Sequence, residues 1–298
     1  MSTKPILCIG EILWDSLPNG LFLGGAPFNV AYHLKSLGAD VAMVSCVGDD
    51  VLGRIARERI QEKGLSVDLI QIDAAVPTGL VNVKIDPAGN ASYEIVAPAA
   101  WDNIKMISPL REASESAGAI VFGSLAQRAP ISRTTVQQLL STDALKVFDV
   151  NLRPPFDDPE IVSVGLKRAQ VVKLNDQEFN RLSQWYGFPS GLRGGAAALA
   201  QHFGPKIICV TRGAQGAVLW NAGRYSEHPG YRVPVRDTVG SGDAFLASLL
   251  KGLLERLPDD ILLKRANAHG AFVATKDGAT PVLDPNRLRA IESSGDQH

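Results

Sequence analysis

Short apolar runs and helix-like segments alternate along this chain, and this alternation limits the possible folds more than any other feature. Ile6 to Ile9 and Val41 to Val47 are apolar runs with the length of buried strands. Asn29 to Leu37 and Asp50 to Lys63 have the apolar spacing of amphipathic helices. Strands that are connected through helices pair in parallel, so this order predicts an α/β fold with a parallel sheet covered by helices.

The same alternation resumes at residue 119 and continues close to the C-terminus. Strands are predicted at Ala119–Phe122, Lys146–Asp149, Val171–Leu174, Ile207–Thr211 and Ala217–Trp220. Helices are predicted at Arg133–Leu140, Asp176–Trp185, Gly194–Phe203, Asp243–Arg256 and Asp260–Thr275. No linker, repeat or low-complexity stretch divides the chain. We therefore predict one domain over residues 1–298, with a doubly wound, mainly parallel sheet and helices on both faces.

One segment departs from this alternation. Leu80–Ile85 and Ala91–Val96 alternate in the manner of half-buried strands, and residues 86–90 between them are typical of a turn. We predict a hairpin that leaves the main sheet, and Trp14–Leu23 is a candidate to pair with it. Together they would form a small β-sheet lid at about residues 12–24 and 78–98.

Composition excludes several classes of protein. Thirty basic and 31 acidic residues leave a net charge of −1, which gives no general attraction to nucleic acid or to an anionic membrane. No apolar run approaches the ~20 residues of a membrane span. Cys8, Cys46 and Cys209 lie in apolar runs without paired spacing, so we predict reduced core thiols and a cytoplasmic location.

The candidate chemistry lies where Gly240, Ser241, Gly242 and Asp243 precede the apolar helix Ala244–Leu254. Glycines before a helix allow close approach of a ligand, and the free N–H groups of the first turn attract an anion. An aspartate there could act as the base for phosphoryl transfer to an alcohol, or it could only cap the helix. The spacing alone favours neither interpretation.

Two common nucleotide-binding motifs are missing. No G-x-x-x-x-G-K-[ST] motif occurs, which excludes a P-loop enzyme on motif grounds. No G-x-G-x-x-G follows the first strand, which argues against a dinucleotide-binding oxidoreductase.

Two distant segments together resemble a known family. Val235–Phe245 looks like the C-terminal signature of the ribokinase-like (PfkB-type) carbohydrate kinases, and Gly24–Ala31 resembles their N-terminal signature. The resemblance implies an ATP-dependent sugar kinase with the ribokinase-like fold. Asp243 would deprotonate the sugar hydroxyl, and the backbone N–H groups of residues 239–242 would hold the developing negative charge.

The resemblance also implies a sugar pocket. Asp15 would accept hydrogen bonds from sugar hydroxyls, and Gly25 and Asn29 would form the pocket floor. Without the resemblance, Asp15 is equally an exposed loop acid and Asn29 a helix cap.

Three further elements resemble the nucleotide and cation sites of the family. Asn175 and Glu178 match an N-x-x-E element that would organise Mg²⁺ and phosphate, although they also suit a plain capped helix start. The positions implied for ATP are Thr211, Gly213, Gly216, Asn267 and Gly270; the alternatives are a hairpin turn for the first three and a solvent-facing helix position for Asn267. Approximate counterparts of a potassium site built from backbone carbonyls are Asp237, Val239, Val273 and Gly278.

Other segments favour fructose. Asp149–Pro155 looks like the D-x-N-x-R element of fructokinases, and Ala97–Asp102 is also fructokinase-like. Arg153 would contact the sugar or the transferring phosphate, or else form a surface ion pair. D-fructose phosphorylated at its 6-hydroxyl is therefore the predicted reaction. Ribose, another ketohexose, a keto-deoxy sugar acid and a nucleoside stay open as substrates.

Two alternatives concern the whole protein. A sugar sensor could keep this fold and bind a sugar without transferring phosphate, although it would have no need of a base at Asp243. A homodimer through the lid fits the alternating strands, and so does a lid that folds only onto its own domain.

Overall fold

The computed structural model describes residues 4–17, 20–85 and 91–294 of the chain. The strands in these ranges are β1 (Ile6–Ile9), β2 (Leu13–Leu17), β3 (Gly20–Gly24), β4 (Val41–Gly48), β5 (Ile70–Asp73), β6 (Gly79–Ile85), β7 (Ala91–Ile95), β8 (Ala119–Gly123), β9 (Leu145–Asp149), β10 (Val171–Asn175), β11 (Ile207–Thr211), β12 (Ala217–Asn221) and β13 (Arg224–His228). The helices are α1 (Ala26–Ser36), α2 (Val51–Glu62), α3 (Ser108–Ser116), α4 (Pro130–Leu139), α5 (Pro159–Arg168), α6 (Asp176–Tyr186), α7 (Leu192–Phe203), α8 (Ser241–Leu254), α9 (Asp259–Ala274) and α10 (Pro285–Ser294).

The larger sheet confirms the predicted α/β fold. Its order is β13-β12-β11-β10-β9-β8-β1-β4-β5. The pairs from β11 to β5 are parallel, whereas β12 and β13 are antiparallel at one edge. Every βαβ crossover in this sheet places a helix over one of its two faces.

Both faces of the sheet are buried, as the pattern of β1 shows. Leu7 and Ile9 pack in a core with residues of α3 to α7, whereas Ile6 and Cys8 pack on the other face with residues of α1, α2 and α8. Successive residues of a strand point to opposite faces, so a strand covered on both sides is a nearly continuous apolar run. This explains why the first strand is a continuous apolar run.

The smaller sheet has the order β3-β2-β6-β7. β6 and β7 form the predicted antiparallel pair, and β2 pairs with β6 in parallel. The segment Trp14–Leu23 forms two strands rather than one, because β2 and β3 pair with each other as well. The predicted turn at residues 86–90 lies outside the described residues.

Some elements differ from the prediction. The helix expected at Asp243–Arg256 is α8, which begins two residues earlier because Gly240 takes a left-handed φ of 78° just before it. The short elements α3, α5, α10, β5 and β13 were not predicted. They have four to ten residues, too few to show a clear period.

Two further predictions concern the whole chain. The three cysteines are free and buried in the structure, as expected for core thiols. Among the described residues, no helix combines the length and the apolar character that crossing a membrane requires.

Candidate active site

Asp243 lies in the first turn of α8, and it is not the cap of this helix. The N-cap is Gly240, and Asp243 is the third residue of α8, so the capping interpretation is wrong. A Cβ at Gly240 would lie 2.6 Å from Cα and from the carbonyl oxygen of Ala279. Glycine is therefore required where the chain enters the helix.

The carboxylate of Asp243 is held by an amide and surrounded by charges. Asn29 Nδ2 donates to Asp243 Oδ2 at 2.8 Å. Burial and the nearby carboxylate of Asp149 raise the pKa of Asp243 to about 6, although Lys173, Asn29 and Arg153 act in the opposite direction. The group is thus ionised at neutral pH and remains basic enough to accept a proton.

The N–H groups before α8 divide into two kinds. Val239 N donates to Asp237 Oδ1 at 3.0 Å, and Ser241 N donates to the carbonyl oxygen of Thr238 at 3.2 Å. Two of the four predicted donors to an anion are therefore engaged within the loop. The N–H groups of Gly240 and Gly242 have no acceptor among the described residues. These two are the donors that an anion at the helix start would use.

A buried ion pair beside this helix start was not predicted. Lys173 Nζ lies 3.0 Å from Asp149 Oδ1, and a Cβ at Gly242 would lie 3.2 Å from the same Nζ. Burial alone would lower the pKa of Lys173, but the carboxylates of Asp149, Glu178 and Asp243 raise it to about 12. The site therefore contains a fixed cation beside the predicted anion site.

Strand register explains why sequence reasoning missed this pair. Lys173 and Asp149 are direct neighbours across the parallel strands β10 and β9. The sequence places both residues in predicted strands but does not show which strands are adjacent.

The predicted sugar pocket lies at the start of α1. Asp15 is a half-buried residue of β2 rather than an exposed loop acid, and a Cβ at Gly24 would lie 2.8 Å from its Oδ2. Burial raises the pKa of Asp15 to about 6. Gly25 has a φ of 116°, and a Cβ there would overlap the carbonyl oxygen of Glu11. Asn29 is buried inside α1, whose N-cap is Gly25, so the cap interpretation of Asn29 is wrong.

Arg153 is close to three carboxylates. Its charge lowers the pKa of Glu11, of Asp15 and of Asp243, each of which burial raises. Its own side chain is exposed and donates to the carbonyl oxygen of Leu152 at 2.9 Å. Among the residues that the structure describes, Arg153 forms no ion pair with a carboxylate.

Glu11 was not predicted as a site residue. It is buried, its Oε1 accepts from the backbone N–H of Ala26 at 3.2 Å, and burial raises its pKa to about 7. A glutamate within an apolar run directly after the first strand was the available sequence signal. It holds the start of α1 next to Gly25 and so shapes the predicted pocket.

Asn175 and Glu178 form the capping box that their spacing predicted. Asn175 Oδ1 accepts from Glu178 N at 2.8 Å, and Glu178 Oε2 accepts from Asn175 N at 2.8 Å. Glu178 Oε1 also accepts from the backbone N–H of Leu152 at 2.9 Å, which ties α6 to the segment after β9. Each carboxylate oxygen keeps a further lone pair, so the role predicted near Mg²⁺ stays a prediction.

The positions predicted for ATP lie along two elements. Thr211 ends β11, and Gly213 and Gly216 have positive φ values of 55° and 75° in the turn before β12. Asn267 is buried in α9 and donates to the carbonyl oxygen of Leu263 at 2.7 Å, so the solvent-facing alternative is wrong. A Cβ at Gly270 would lie 3.0 Å from the carbonyl oxygen of Ser241, which shows that α9 packs against the start of α8.

Asp237, Val239 and Gly278 of the predicted cation positions lie in loops that one carboxylate ties together, whereas Val273 lies in the last turn of α9. Asp237 Oδ1 accepts from Val239 N, and its Oδ2 accepts from Gly278 N at 3.1 Å. The carbonyl oxygen of Val273 accepts from Lys276 N at 2.9 Å. In the described part of the chain, no group of three or more His, Cys, Asp or Glu side chains could hold a metal ion.

Comparison with known proteins gives a consistent result. The sequence profile of the pfkB family carbohydrate kinases matches residues 19–286. The fructokinase of Klebsiella pneumoniae is 31% identical over 301 residues, covering 93% of this chain and 95% of the relative. The structure of the sugar kinase PH1459 from Pyrococcus horikoshii in complex with ATP has a TM-score of 0.78 at 26% identity and covers 96% of this chain and 99% of that chain.

A third protein resembles this chain in fold. The structure of the fructokinase from Xylella fastidiosa with bound ATP has a TM-score of 0.85 at 23% identity, and 99% of each chain is covered. This similarity extends over both the large and the small sheet, because almost no residue of either chain is left out.

Proposed function

Since this chain belongs to the pfkB family of carbohydrate kinases, we propose that it transfers the γ-phosphate of ATP to the 6-hydroxyl of D-fructose. The protein is an ATP-dependent sugar kinase, and the choice of fructose is the proposal. One observation carries the transfer to a sugar hydroxyl: the hydrogen bond between Asn29 and Asp243 brings the candidate base to the predicted sugar pocket.

In the proposed reaction Asp243 takes the proton of the 6-hydroxyl. The hydroxyl oxygen then forms a bond to the γ-phosphorus, and the bond from that phosphorus to the bridging oxygen of ADP breaks. Asp15 and Asn29 would orient the sugar through its other hydroxyls, because a carboxylate and an amide accept from hydroxyl donors in fixed directions. A base with a pKa of about 6 suits this transfer at neutral pH.

The developing negative charge would meet two sources of positive charge at the start of α8. The first is the pair of free N–H groups of Gly240 and Gly242, which lie at the positive end of the helix dipole. The second is the ammonium of Lys173, held by Asp149. These groups are already in place before the reaction, so little reorganisation is needed as the charge develops.

Asn175 and Glu178 would hold Mg²⁺ with its phosphate ligands. The donor set suits this ion, because two oxygen-bearing side chains leave room for the waters that Mg²⁺ usually keeps. The buried Oδ2 of Asp149 has no hydrogen-bond partner among the described residues and is a further acceptor nearby. Bound there, Mg²⁺ would neutralise charge on the transferring phosphate.

A potassium ion would fit between the loops that carry Asp237, Val239 and Gly278 and the last turn of α9, which carries Val273. Its support is the Asp237 carboxylate, which binds backbone N–H groups of both loops and so brings their carbonyl groups close together. A carbonyl oxygen has two lone pairs, so the one that accepts from Lys276 can still coordinate a cation. The expected effect is a higher rate in potassium than in sodium at equal ionic strength.

The charges of the pocket favour a neutral sugar. Glu11, Asp15 and Asp243 are all carboxylates, and Arg153 is the cation whose charge reaches all three. A keto-deoxy sugar acid would bring a further negative charge into this group and meet repulsion. Fructose has no charge, and the Klebsiella relative is a fructokinase.

The experiment is a substrate panel in which ADP release is measured with ATP and Mg²⁺. The panel contains fructose, ribose, a keto-deoxy sugar acid and adenosine. We expect kcat/KM for fructose to exceed that of each other compound by about tenfold or more, since differences of a few hydroxyl contacts have this magnitude. A higher value for another sugar would overturn fructose as the substrate. If the protein binds a sugar but releases ADP with none of the four compounds, the result would favour the sensor.

Two further properties belong to the proposal. A homodimer through the smaller sheet is supported by Leu21 and Phe22 on its edge strand β3, whose side chains are 43% and 42% exposed. Light scattering would measure the mass in solution, and a monomer at all concentrations would overturn the homodimer.

The buried free thiols support the predicted cytoplasmic location.

A further inference from the structure

The irregular segment of residues 278–281, between α9 and α10, lies against the start of α8. Any Cβ at Gly240 would approach Ala279 to 2.6 Å, so the Gly240 backbone rests directly on that residue. Asp237 Oδ2 accepts from Gly278 N at 3.1 Å, and its other oxygen holds the loop before Gly240. The position of the segment therefore determines the position of the Gly240 peptide at the predicted anion site.

Three side chains from the N-terminal part of the chain also hold this segment. They donate to three consecutive carbonyl oxygens: His33 Nε2 to Ala279 at 2.9 Å, Lys63 Nζ to Thr280 at 3.2 Å, and Tyr32 Oη to Pro281 at 2.9 Å. The segment has no regular secondary structure, so its carbonyl groups cannot be satisfied by a helix or a sheet. These long-range bonds, together with the bond from Gly278 to Asp237, fix the segment in place.

His33 is the most constrained of the three donors. Its side chain is buried, and its ring packs edge-on against Tyr32 at 5.3 Å and against His269 at 4.9 Å between ring centroids. A carbonyl oxygen can only accept, so the Nε2 of His33 carries the proton of this hydrogen bond. The packed ring cannot turn away from Ala279 without losing its neighbours.

Helix α1 connects this contact to the candidate base. Asn29 and His33 are four residues apart and so lie on the same side of the helix. Asn29 donates to Asp243, and His33 donates to Ala279, on which Gly240 rests. A single helix thus fixes both the base and the support of the anion site.

We propose that His33 is a positioning residue for phosphoryl transfer, which holds Ala279 and thereby the Gly240 peptide in place. It acts through Ala279 and not on the sugar or the nucleotide. The effect on kcat rests on the proposed function, whereas the effect on the position of residues 236–244 does not.

The kinetic test compares three variants. His33→Leu removes the donor and leaves an apolar side chain in its place, and His33→Gln keeps an Nε2 donor. Ser36→Ala is a control on the same helix, where the serine hydroxyl donates to the carbonyl oxygen of Tyr32. We expect His33→Leu to lower kcat about tenfold or more, with KM for the sugar changed less than about twofold. His33→Gln should recover most of the rate, and Ser36→Ala should match the wild type. A normal kcat in His33→Leu, or equal loss in His33→Gln, would overturn the proposal.

A structural test is independent of the substrate. We expect amide hydrogen exchange of peptides covering residues 236–244 to be faster in His33→Leu than in the wild type and in Ser36→Ala. Unchanged exchange there would overturn the inference, whatever sugar is phosphorylated, whereas wild-type protein inactive on fructose would overturn only the proposed function. If His33→Leu does not fold, Lys63→Met removes the neighbouring bond to Thr280 from a partly exposed position. The same increase in exchange, smaller in size, is then expected, and its absence would overturn the inference.

Discussion

The amide nitrogen of Asn29 lies 2.8 Å from a carboxylate oxygen of Asp243, although 214 residues separate them in the chain. This hydrogen bond joins the start of α1, where the sugar pocket is predicted, to the start of α8, where the phosphate is expected. In the proposed reaction, sugar binding and proton abstraction would therefore share this contact.

Replacing Asn29 with alanine should lower activity and shift its pH dependence. The amide stabilises the ionised form of Asp243, so its removal raises the pKa of the base and leaves it free to turn. We expect kcat/KM at neutral pH to fall about tenfold or more, and its acid limb to move to higher pH. Steady-state kinetics from pH 5 to 9 measure both, with Ser36→Ala as the control on α1. An unchanged pH profile of kcat/KM would show that Asn29 does not affect the ionisation of Asp243.

Replacing either partner of the ion pair between Lys173 and Asp149 should shift the same acid limb, and the two shifts should have opposite directions. The base must be ionised, so activity is lost as the pH falls through its pKa of about 6. Asp149→Asn removes a carboxylate that raises this pKa, so the limb should move to lower pH. Lys173→Met removes a charge that lowers it, so the limb should move to higher pH.

The pH shift expected for Asp149→Asn can be assigned to Asp243, and a stability measurement tests the ion pair itself. Glu11 and Asp15 also titrate at pH 6 to 7, but Asp149 is not among the groups that shift their pKa values. The shift in Asp149→Asn therefore reports on Asp243. Lys173→Met leaves a buried carboxylate unpaired and should lose about 3–5 kcal/mol of unfolding free energy, which the double variant partly restores. Shifts of equal sign in the two single variants would contradict this electrostatic account.

Asp15→Ala should weaken sugar binding more than it affects turnover. A charged acceptor that binds hydroxyl groups contributes about 1.5–3 kcal/mol, which corresponds to an increase in KM for the sugar of about tenfold or more. Ser16→Ala is the matched control, because neighbouring residues of β2 point to opposite faces of the smaller sheet. If the KM for the sugar and kcat of Asp15→Ala both equal the wild-type values, Asp15 does not belong to the pocket.

Gly25→Ala should destabilise the fold far more than Gly38→Ala. Both glycines have positive φ values, of 116° and 77°. A Cβ at Gly25 would overlap the backbone of Glu11, whereas one at Gly38 meets no atom within 4 Å. We expect a loss of about 3 kcal/mol or more in unfolding free energy at Gly25 and about 1 kcal/mol at Gly38. Urea unfolding measures both losses, and equal losses would contradict the steric overlap expected for a Cβ at Gly25.

Much of the fold could be predicted because its strands are buried on both faces. The strand expected at Val41–Val47 is β4, which is one residue longer, and the helix expected at Asp50–Lys63 is α2, which is one residue shorter at each end. Continuous apolar runs and helical spacing are local properties, so the sequence displays them directly.

The candidate site was predictable only in part, because its chemistry depends on which strands and loops are adjacent. Asp243 and Asn29 were found through two signatures, but their hydrogen bond was not. Lys173 pairs with Asp149 only when β9 and β10 are neighbours in the right register. The carbonyl group of Ala279 carries no side-chain signal, so its bond to His33 could not be read from any residue pattern.

The most direct test of the central claim is ADP release by Asp243→Asn with ATP and fructose. Asparagine keeps the shape of the side chain and can still accept the hydrogen bond from Asn29, but it cannot take a proton from the sugar. We expect kcat to fall about 10²-fold to 10⁴-fold, while calorimetry shows fructose affinity within about threefold of the wild type. A kcat within about threefold of the wild-type value would contradict the assignment of Asp243 as the base.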